Sequence, residues 1–306
     1  MNWLKKTFRL GEKIRKIFKK RPTKDDIENS DWVSCCKGPI NRKELEENLW
    51  VCKYCGKNFR ISCIQRFDIF FGQNRYEILK TPMPSEDPLN FESYKDKILA
   101  ARKKTGQDCA VMIAKGKING IEITAGAVNF DFIGGSFGAA ETEAFIFGVQ
   151  YAINNSTPFC FFASGGGQKL YESPIALAGM ARTTLAVNQL KANKLPYIII
   201  FVDPCAGGIT GSFAMLSDVS LAEPRSIVCF AGKSVIRATI KEELSPDFQT
   251  AEWVLKNGFI DRIVNRKDLS NEVGKLLEIL LKKNSEVNSE NSNETSELIN
   301  KTREAS

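Results

Sequence analysis

Apolar residues follow two rhythms along this chain. From about residue 108 onward, short apolar runs bounded by turn residues alternate with longer segments whose apolar positions recur at helical spacing. Ala110-Val111-Met112-Ile113-Ala114 and Ile121-Glu122-Ile123-Thr124-Ala125 flank Lys117-Ile118-Asn119-Gly120 and predict a hairpin. Residues 127–132 predict a continuing strand, and further strands are expected at 219–222, 227–230 and 262–264. Helices are expected near 139–153, 173–193 and 210–217. Leu177, Met180, Leu185 and Leu190 sit at helix-like spacing and predict a core-facing stripe. Residues 65–100 read as helical and loop-like, interrupted by Pro82, Pro84 and Pro88. The alternation favours an α/β architecture.

Two runs share one construction. Phe159-Cys160-Phe161-Phe162-Ala163-Ser164-Gly165-Gly166-Gly167 is an apolar run ending in glycines. Tyr197-Ile198-Ile199-Ile200-Phe201-Val202-Asp203-Pro204-Cys205-Ala206-Gly207-Gly208 repeats the pattern. Each is followed by a segment that reads as a helix. A strand that ends in glycines and feeds a helix leaves backbone N–H groups pointing into open space, where a developing negative charge is stabilised. Together the two turns can hold an oxyanion; the alternative is a pair of tight strand-to-helix connections.

Composition narrows the chemistry. The chain of 306 residues has no histidine, which removes the commonest general base and the Ser-His and Cys-His pairs. Ser164 therefore reads as a turn hydroxyl. Asp203 and Glu223 read as caps or ion-pair partners more readily than as catalytic carboxylates. The net charge of +7 is concentrated in residues 1–21, where basic residues interleave with Trp3, Leu4, Phe8, Leu10, Ile14, Ile17 and Phe18. A helix there suits a membrane surface, nucleic acid, a targeting role or a partner subunit. No apolar stretch is long enough to span a bilayer. Residues 284–306 are rich in Ser, Asn and Glu and predict a disordered tail.

Cys63, Cys109, Cys160, Cys205 and Cys229 lie in or beside apolar segments and read as reduced, buried small hydrophobes. Cys52-Lys53-Tyr54-Cys55-Gly56 is a CxxC knuckle, one half of a zinc site. Upstream stand Cys35 and Cys36, adjacent and without a spacer. Zinc on Cys35, Cys36, Cys52 and Cys55 is one reading. A metal-free ribbon packed around Trp32, Leu45, Trp50 and Phe59 is the other.

The stretch from Trp32 through Arg42-Lys43-Glu44-Leu45-Glu46-Glu47-Asn48-Leu49-Trp50-Val51-Cys52 to Arg60-Ile61-Ser62 resembles the zinc-ribbon start of the acetyl-CoA carboxylase carboxyltransferase beta subunits. The resemblance continues through Asp131-Phe132-Ile133-Gly134-Gly135-Ser136-Phe137-Gly138, Ser164-Gly165-Gly166, Asp203-Pro204-Cys205-Ala206-Gly207-Gly208, Phe230-Ala231-Gly232 and Gly258-Phe259-Ile260-Asp261. It covers about residues 30–265. It implies a basic N-terminal segment and linker (1–30), a ribbon (31–62), a crotonase-type α/β domain (63–283) and a tail. It also implies transfer of a carboxyl group from carboxybiotin, on a biotin carboxyl carrier protein, to acetyl-CoA, giving malonyl-CoA. The implied partners are an alpha subunit of the same fold that shares the active site, in an α2β2 assembly, and biotin carboxylase. The implied compartment is the bacterial cytoplasm or plastid stroma.

On this resemblance Gly166, Gly167, Gly207 and Gly208 supply N–H donors to an enolate. Gly134, Gly135 and Gly138 allow close backbone approach to the substrate, and Lys169 and Lys233 are candidates to contact CoA. The family typically continues its first turn with Ala-Arg-Met-Gln-Glu. Here Gly167-Gln168-Lys169-Leu170-Tyr171-Glu172 stands instead, one residue longer, with Lys169 in the arginine place and Glu172 keeping the acid. Two rival functions are another acyl-CoA enolate reaction and nucleic-acid binding. Binding of nucleic acid would use Lys37, Arg42, Lys43, Lys53, Lys57 and Arg60 with Trp50 and Tyr54. That basic patch is better suited to attracting CoA phosphates.

Overall fold

The computed structural model describes residues 31–35, 38–241 and 244–281, with only the backbone at 234 and 240. The basic segment 1–21, the tail from 284 and Cys36 lie outside the described residues. The chain divides into two compact units, Met1–Lys57 and Asn58–Ser306.

In the first unit, strands β1 (Trp32–Cys35) and β2 (Gly38–Asn41) pair antiparallel and lead into helix α1 (Arg42–Glu47). Asn41 caps that helix, its side chain accepting from Lys43 N–H. The CxxC knuckle follows, closed by Gly56 N–H donating to Cys52 O (2.8 Å). Gly56 has φ +70°, a conformation that suits glycine. Ile40, Leu45 and Cys52 are the buried hydrophobic residues among those described here, and Trp32 is 56% exposed.

The second unit is built on a sheet of eight described strands in the order β10-β8-β7-β6-β5-β4-β3, with β9 beside β7. Helix α2 (Cys63–Phe71) precedes edge strand β3 (Tyr76–Leu79), and helix α3 (Tyr94–Thr105) follows it. Strands β4 (Val111–Ile118) and β5 (Ile121–Val128) form the expected hairpin around Asn119-Gly120. Beyond β5 the sheet is parallel: β6 (Phe159–Gly165), β7 (Tyr197–Ala206), β8 (Val219–Ala222), β9 (Val228–Cys229) and β10 (Arg262–Ile263). The helices are α4 (Ala139–Asn154), α5 (Ser173–Ala192), α6 (Lys233–Ile240), α7 (Ala251–Lys256) and α8 (Leu269–Leu280).

The unbroken apolar runs of β6 and β7 reflect cover on both sheet faces. Phe159, Phe161, Ala163, Tyr197, Ile199 and Phe201 enter one core with residues of α3, α4, α5 and α7. Cys160, Phe162, Ile198, Ile200 and Val202 enter a second core with α2 and α8. All five scattered cysteines are buried free thiols.

Three expectations are corrected. The strand predicted over 127–132 ends at Val128, and residues 133–135 form a short 3-10 turn. The helix predicted at 210–217 is only a 3-10 turn at Phe213–Leu216. The α5 stripe is not all core: Leu190 is buried, but Leu177 and Leu185 are 60% and 62% exposed. Ala176, Gly179, Thr183, Ala186 and Val187 face inward instead, because small residues let α5 lie close to α4.

Candidate active site

Strands β6 and β7 are parallel neighbours, with Gly165 in register with Cys205, so both glycine turns leave the same end of the sheet. They touch. A Cβ on Gly207 would lie 3.0 Å from Gly167 Cα, and one on Gly167 would lie 3.4 Å from Gly207 Cα and 3.5 Å from Gly208 N. Gly167 and Gly207 have φ of +110° and +65°. Both turns therefore need glycine for their conformation, and Gly207 needs it for the contact as well.

The four glycine N–H groups named above are not equivalent. Gly166 N–H donates to Gly134 O (3.0 Å), and Gly207 N–H donates to Phe230 O (2.9 Å) and Cys229 O (3.2 Å). These two amides fix the turns. The N–H groups of Gly167 and Gly208 make no hydrogen bond among the described residues. A 3-10 turn stands where the second helix was expected, so no helix dipole lies behind the Gly208 N–H.

The first turn is stitched to the Gly134–Gly138 segment: Phe137 N–H donates to Gly167 O (2.9 Å) and Lys169 N–H to Phe137 O (2.8 Å). A Cβ on Gly135 would meet Gly165 Cα at 3.0 Å, and one on Gly138 would meet Glu172 Oε1 at 2.3 Å. The room left by these two glycines is filled by the protein's own atoms. Only Gly134 of the three faces open space.

Lys169 points inward. It is 3% exposed, and its Nζ donates to both Glu141 oxygens (2.7 and 2.6 Å), with Glu172 Oε1 at 3.9 Å. Glu141 also accepts from Ala110 N–H and Gly138 N–H, and Glu172 from Ala139 N–H and the Tyr94 hydroxyl. Burial, then the bond to Glu172, push the Tyr94 phenol well above its ordinary pKa. Lys169 thus anchors the turn from beneath; its ammonium is not free to meet CoA. Sequence reading missed Glu141 and Tyr94. Glu141 stands three residues after Gly138, a capping-box spacing that offered a signal. Tyr94 is 78 residues from Glu172 and offered none.

Ser164 Oγ donates to Pro204 O (3.0 Å), tying the two strand ends together. Asp203 accepts from Ile227 N–H (3.1 Å), fixing the chain entering β9. Glu223, 1% exposed, accepts from Arg66 and from Arg266 through two bonds of 2.8 Å. Burial works to raise its pKa, and the two guanidiniums outweigh this and lower it. All three residues hold structure. Lys233 opens α6, three residues after the Phe230 that bonds Gly207, and its Nζ donates to Pro246 O (3.0 Å).

In the first unit the thiols of Cys35, Cys52 and Cys55 lie within 4.8 Å of one another, with Cys35 and Cys55 at 3.5 Å. Thiolates about 2.3 Å from a tetrahedral zinc stand about 3.8 Å apart. The donor set and its spacing fit zinc.

The fold and the paired turns define a class, the carboxyl transferases of crotonase-like fold: residues 86–304 match the family model described as Carboxyl transferase domain. The fold alone is shared with the transcarboxylase 12S core (TM-score 0.60, 21% identity, 71% of this chain and 41% of that one). It is shared also with a Pseudomonas malonate decarboxylase MdcD-MdcE hetero-dimer (TM-score 0.55, 18% identity, 71% and 85%). Among curated relatives, the acetyl-coenzyme A carboxylase carboxyl transferase subunit beta of Pelagibacter ubique is 59% identical over 97% of both chains. A Natranaerobius thermophilus protein named as subunits beta/alpha is 37% identical over 85% of this chain and 43% of its own length. The chain belongs to the acetyl-CoA carboxylase carboxyltransferase beta subunits.

Proposed function

We propose that this beta subunit uses the Gly167 and Gly208 N–H groups to hold the oxyanion formed when a carboxyl group passes from carboxybiotin to acetyl-CoA. The observation that carries the reading is the pair of N–H groups, unbonded among the described residues, on two touching turns at one end of the parallel strands β6 and β7. Removing a proton from the acetyl thioester gives an enolate, and fixed donors aimed at its oxygen lower that barrier without reorganisation. The carried biotin supplies the carboxyl group and, on its ureido nitrogen, the base. That assignment suits a chain without histidine.

The chain's own residues position. Lys169, Glu141 and Glu172 lock the first turn; the Gly166 amide ties it to Gly134, and the Gly207 amide ties the second turn to the end of β9. The partner is an alpha subunit, in keeping with the fused beta/alpha relative. Leu170, just after the first turn, and Leu177 and Leu185 along α5 are exposed apolar residues that offer it a docking face. Zinc held by Cys35, Cys52 and Cys55, with Cys36 as fourth ligand, would complete the first unit. A biotin carboxyl carrier protein and biotin carboxylase complete the larger assembly. The compartment is the bacterial cytoplasm. No helix among the described residues is long and apolar enough to cross a membrane.

The test is the reverse reaction: malonyl-CoA-dependent carboxylation of biotin methyl ester by this chain, by its alpha subunit and by the two mixed. Activity only in the mixture is expected. An inactive mixture that nevertheless forms the complex would exclude the reading.

A further inference from the structure

Gln168 stands between the two turns and is accounted for by nothing above. It belongs to the longer first turn of this chain. Its side chain lies over the second turn: a Cβ on Gly208 would fall 2.8 Å from Gln168 Cγ and 3.0 Å from its Nε2. Its Oε1 is buried and makes no hydrogen bond among the described residues. A buried amide oxygen without a donor is costly, and such groups mark an absent partner. The site thus offers two free backbone donors, Gly167 N–H and Gly208 N–H, next to a carboxamide with an unused acceptor.

An unused acceptor calls for a ligand that brings a donor. A thioester and its enolate have oxygen and sulfur at the reacting end and no N–H. The pantetheine amide N–H is separated from the thioester sulfur by two methylenes. A cyclic urea carries both functions on adjacent atoms. In biotin the ureido nitrogen that does not carry the carboxyl group keeps its N–H, next to the ureido carbonyl. A carboxamide pairs with that edge in two bonds: Oε1 accepts from the ureido N–H, and Nε2 donates to the ureido oxygen.

We propose that Gln168 is the residue of this chain that recognises the biotin ureido ring and holds it beside the thioester oxygen bound by Gly167 and Gly208. The inference rests on the carboxyltransferase reading, and wild-type activity tests that reading separately. Gln168→Met keeps the length of the side chain and loses both hydrogen bonds. Gln168→Glu keeps an acceptor, loses the donor and repels the ureido oxygen.

The experiment uses the complex with the alpha subunit, after size-exclusion chromatography has shown that each variant assembles. KM for biotin methyl ester and for malonyl-CoA is measured in the reverse reaction. Binding of biotin methyl ester is measured independently by saturation-transfer NMR. For Gln168→Met the expected result is a rise of about tenfold in both the biotin KM and its dissociation constant, with the malonyl-CoA KM within about twofold of wild type. Gln168→Glu is expected to be at least as impaired, and it decides the matter alone if the methionine variant does not assemble. Unchanged biotin binding, or a malonyl-CoA KM that rises as much as the biotin KM, would overturn the assignment. An inactive wild-type complex would instead defeat the underlying reading.

Discussion

Lys169 shows how one buried charge holds a turn from within the protein. Its ammonium faces two carboxylates, Glu141 and Glu172, and the backbone two residues before it carries the Gly167 N–H. Removing one partner of a buried ion pair leaves the other uncompensated, at a cost of about 3–5 kcal/mol. Lys169→Met is therefore expected to lower both the melting temperature and kcat. Lys169→Arg is expected to recover most of both, because a guanidinium also bonds a carboxylate in two places. Thermal unfolding and steady-state rates of the two variants check this; a methionine variant with wild-type kcat would remove Lys169 from positioning the turn.

Gly207 makes the complementary case. A branched side chain there meets backbone at about 3 Å in a positive-φ conformation. Gly207→Val is expected to cut kcat/KM by about 100-fold, as for loss of an oxyanion donor, while circular dichroism stays native. The presence of these glycines was legible in the sequence. Which of their amides is free was not, because that depends on acceptors up to 32 residues away, such as Gly134 for Gly166.

At the scale of elements, α5 carries the instructive correction. Spacing alone placed Leu177 and Leu185 inside; the helix buries its small residues and shows these leucines to solvent. Periodicity reports that a stripe is apolar, and says nothing of whether its cover comes from this chain or another. Leu177→Glu with Leu185→Glu is expected to leave the isolated subunit folded and to abolish co-elution with the alpha subunit. Wild-type co-elution would place the interface elsewhere. The strands were easier to read: β6 and β7 are apolar on both faces, and Ser164 and the glycines mark their ends. Strand β3 was missed because Tyr76–Leu79 is short and exposes two adjacent residues, Glu77 and Ile78, so that it shows no alternation, with neighbouring prolines dominating the local signal.

Arg66, Glu223 and Arg266 tie α2, the end of β8 and the turn before α8 together. With a folded pKa below its ordinary value, Glu223 contributes stability that is complete above the ordinary carboxylate pKa and is lost as pH falls through the lowered value. Glu223→Gln is expected to lower the melting temperature by about 10 °C at pH 7. The gap should narrow only below about pH 4.5, the carboxylate's ordinary value. A melting curve series from pH 7 to 3 reads this out; a gap that closes already at pH 6 would contradict it.

At the scale of the whole molecule, two populations of thiol are expected to behave differently. Cys63, Cys160 and Cys205 are fully buried, and burial raises their pKa, to about 12 for Cys63. Cys35, Cys52 and Cys55 converge in the other unit. Native alkylation at pH 8 is expected to spare the first three at all times and to modify the convergent three only after a chelator has removed zinc. Elemental analysis is expected to give one zinc per chain. Labelling of Cys52 and Cys55 at full rate before chelation, with no zinc found, would leave the unit metal-free.

The contact between Gly167 and Gly207 has a consequence for descent as well as for chemistry. Of two positions 40 residues apart in sequence, Gly207 has no room for a methyl group because Gly167 lies 3.0 Å from where it would sit, and Gly167 is kept to glycine by its φ of +110°. A side chain at Gly207 pushes the first turn away, and moving that turn displaces a free amide. Variation at Gly207 is therefore expected to be locked to the first turn across the lineage, with that turn acting as the constraint that keeps this glycine in place.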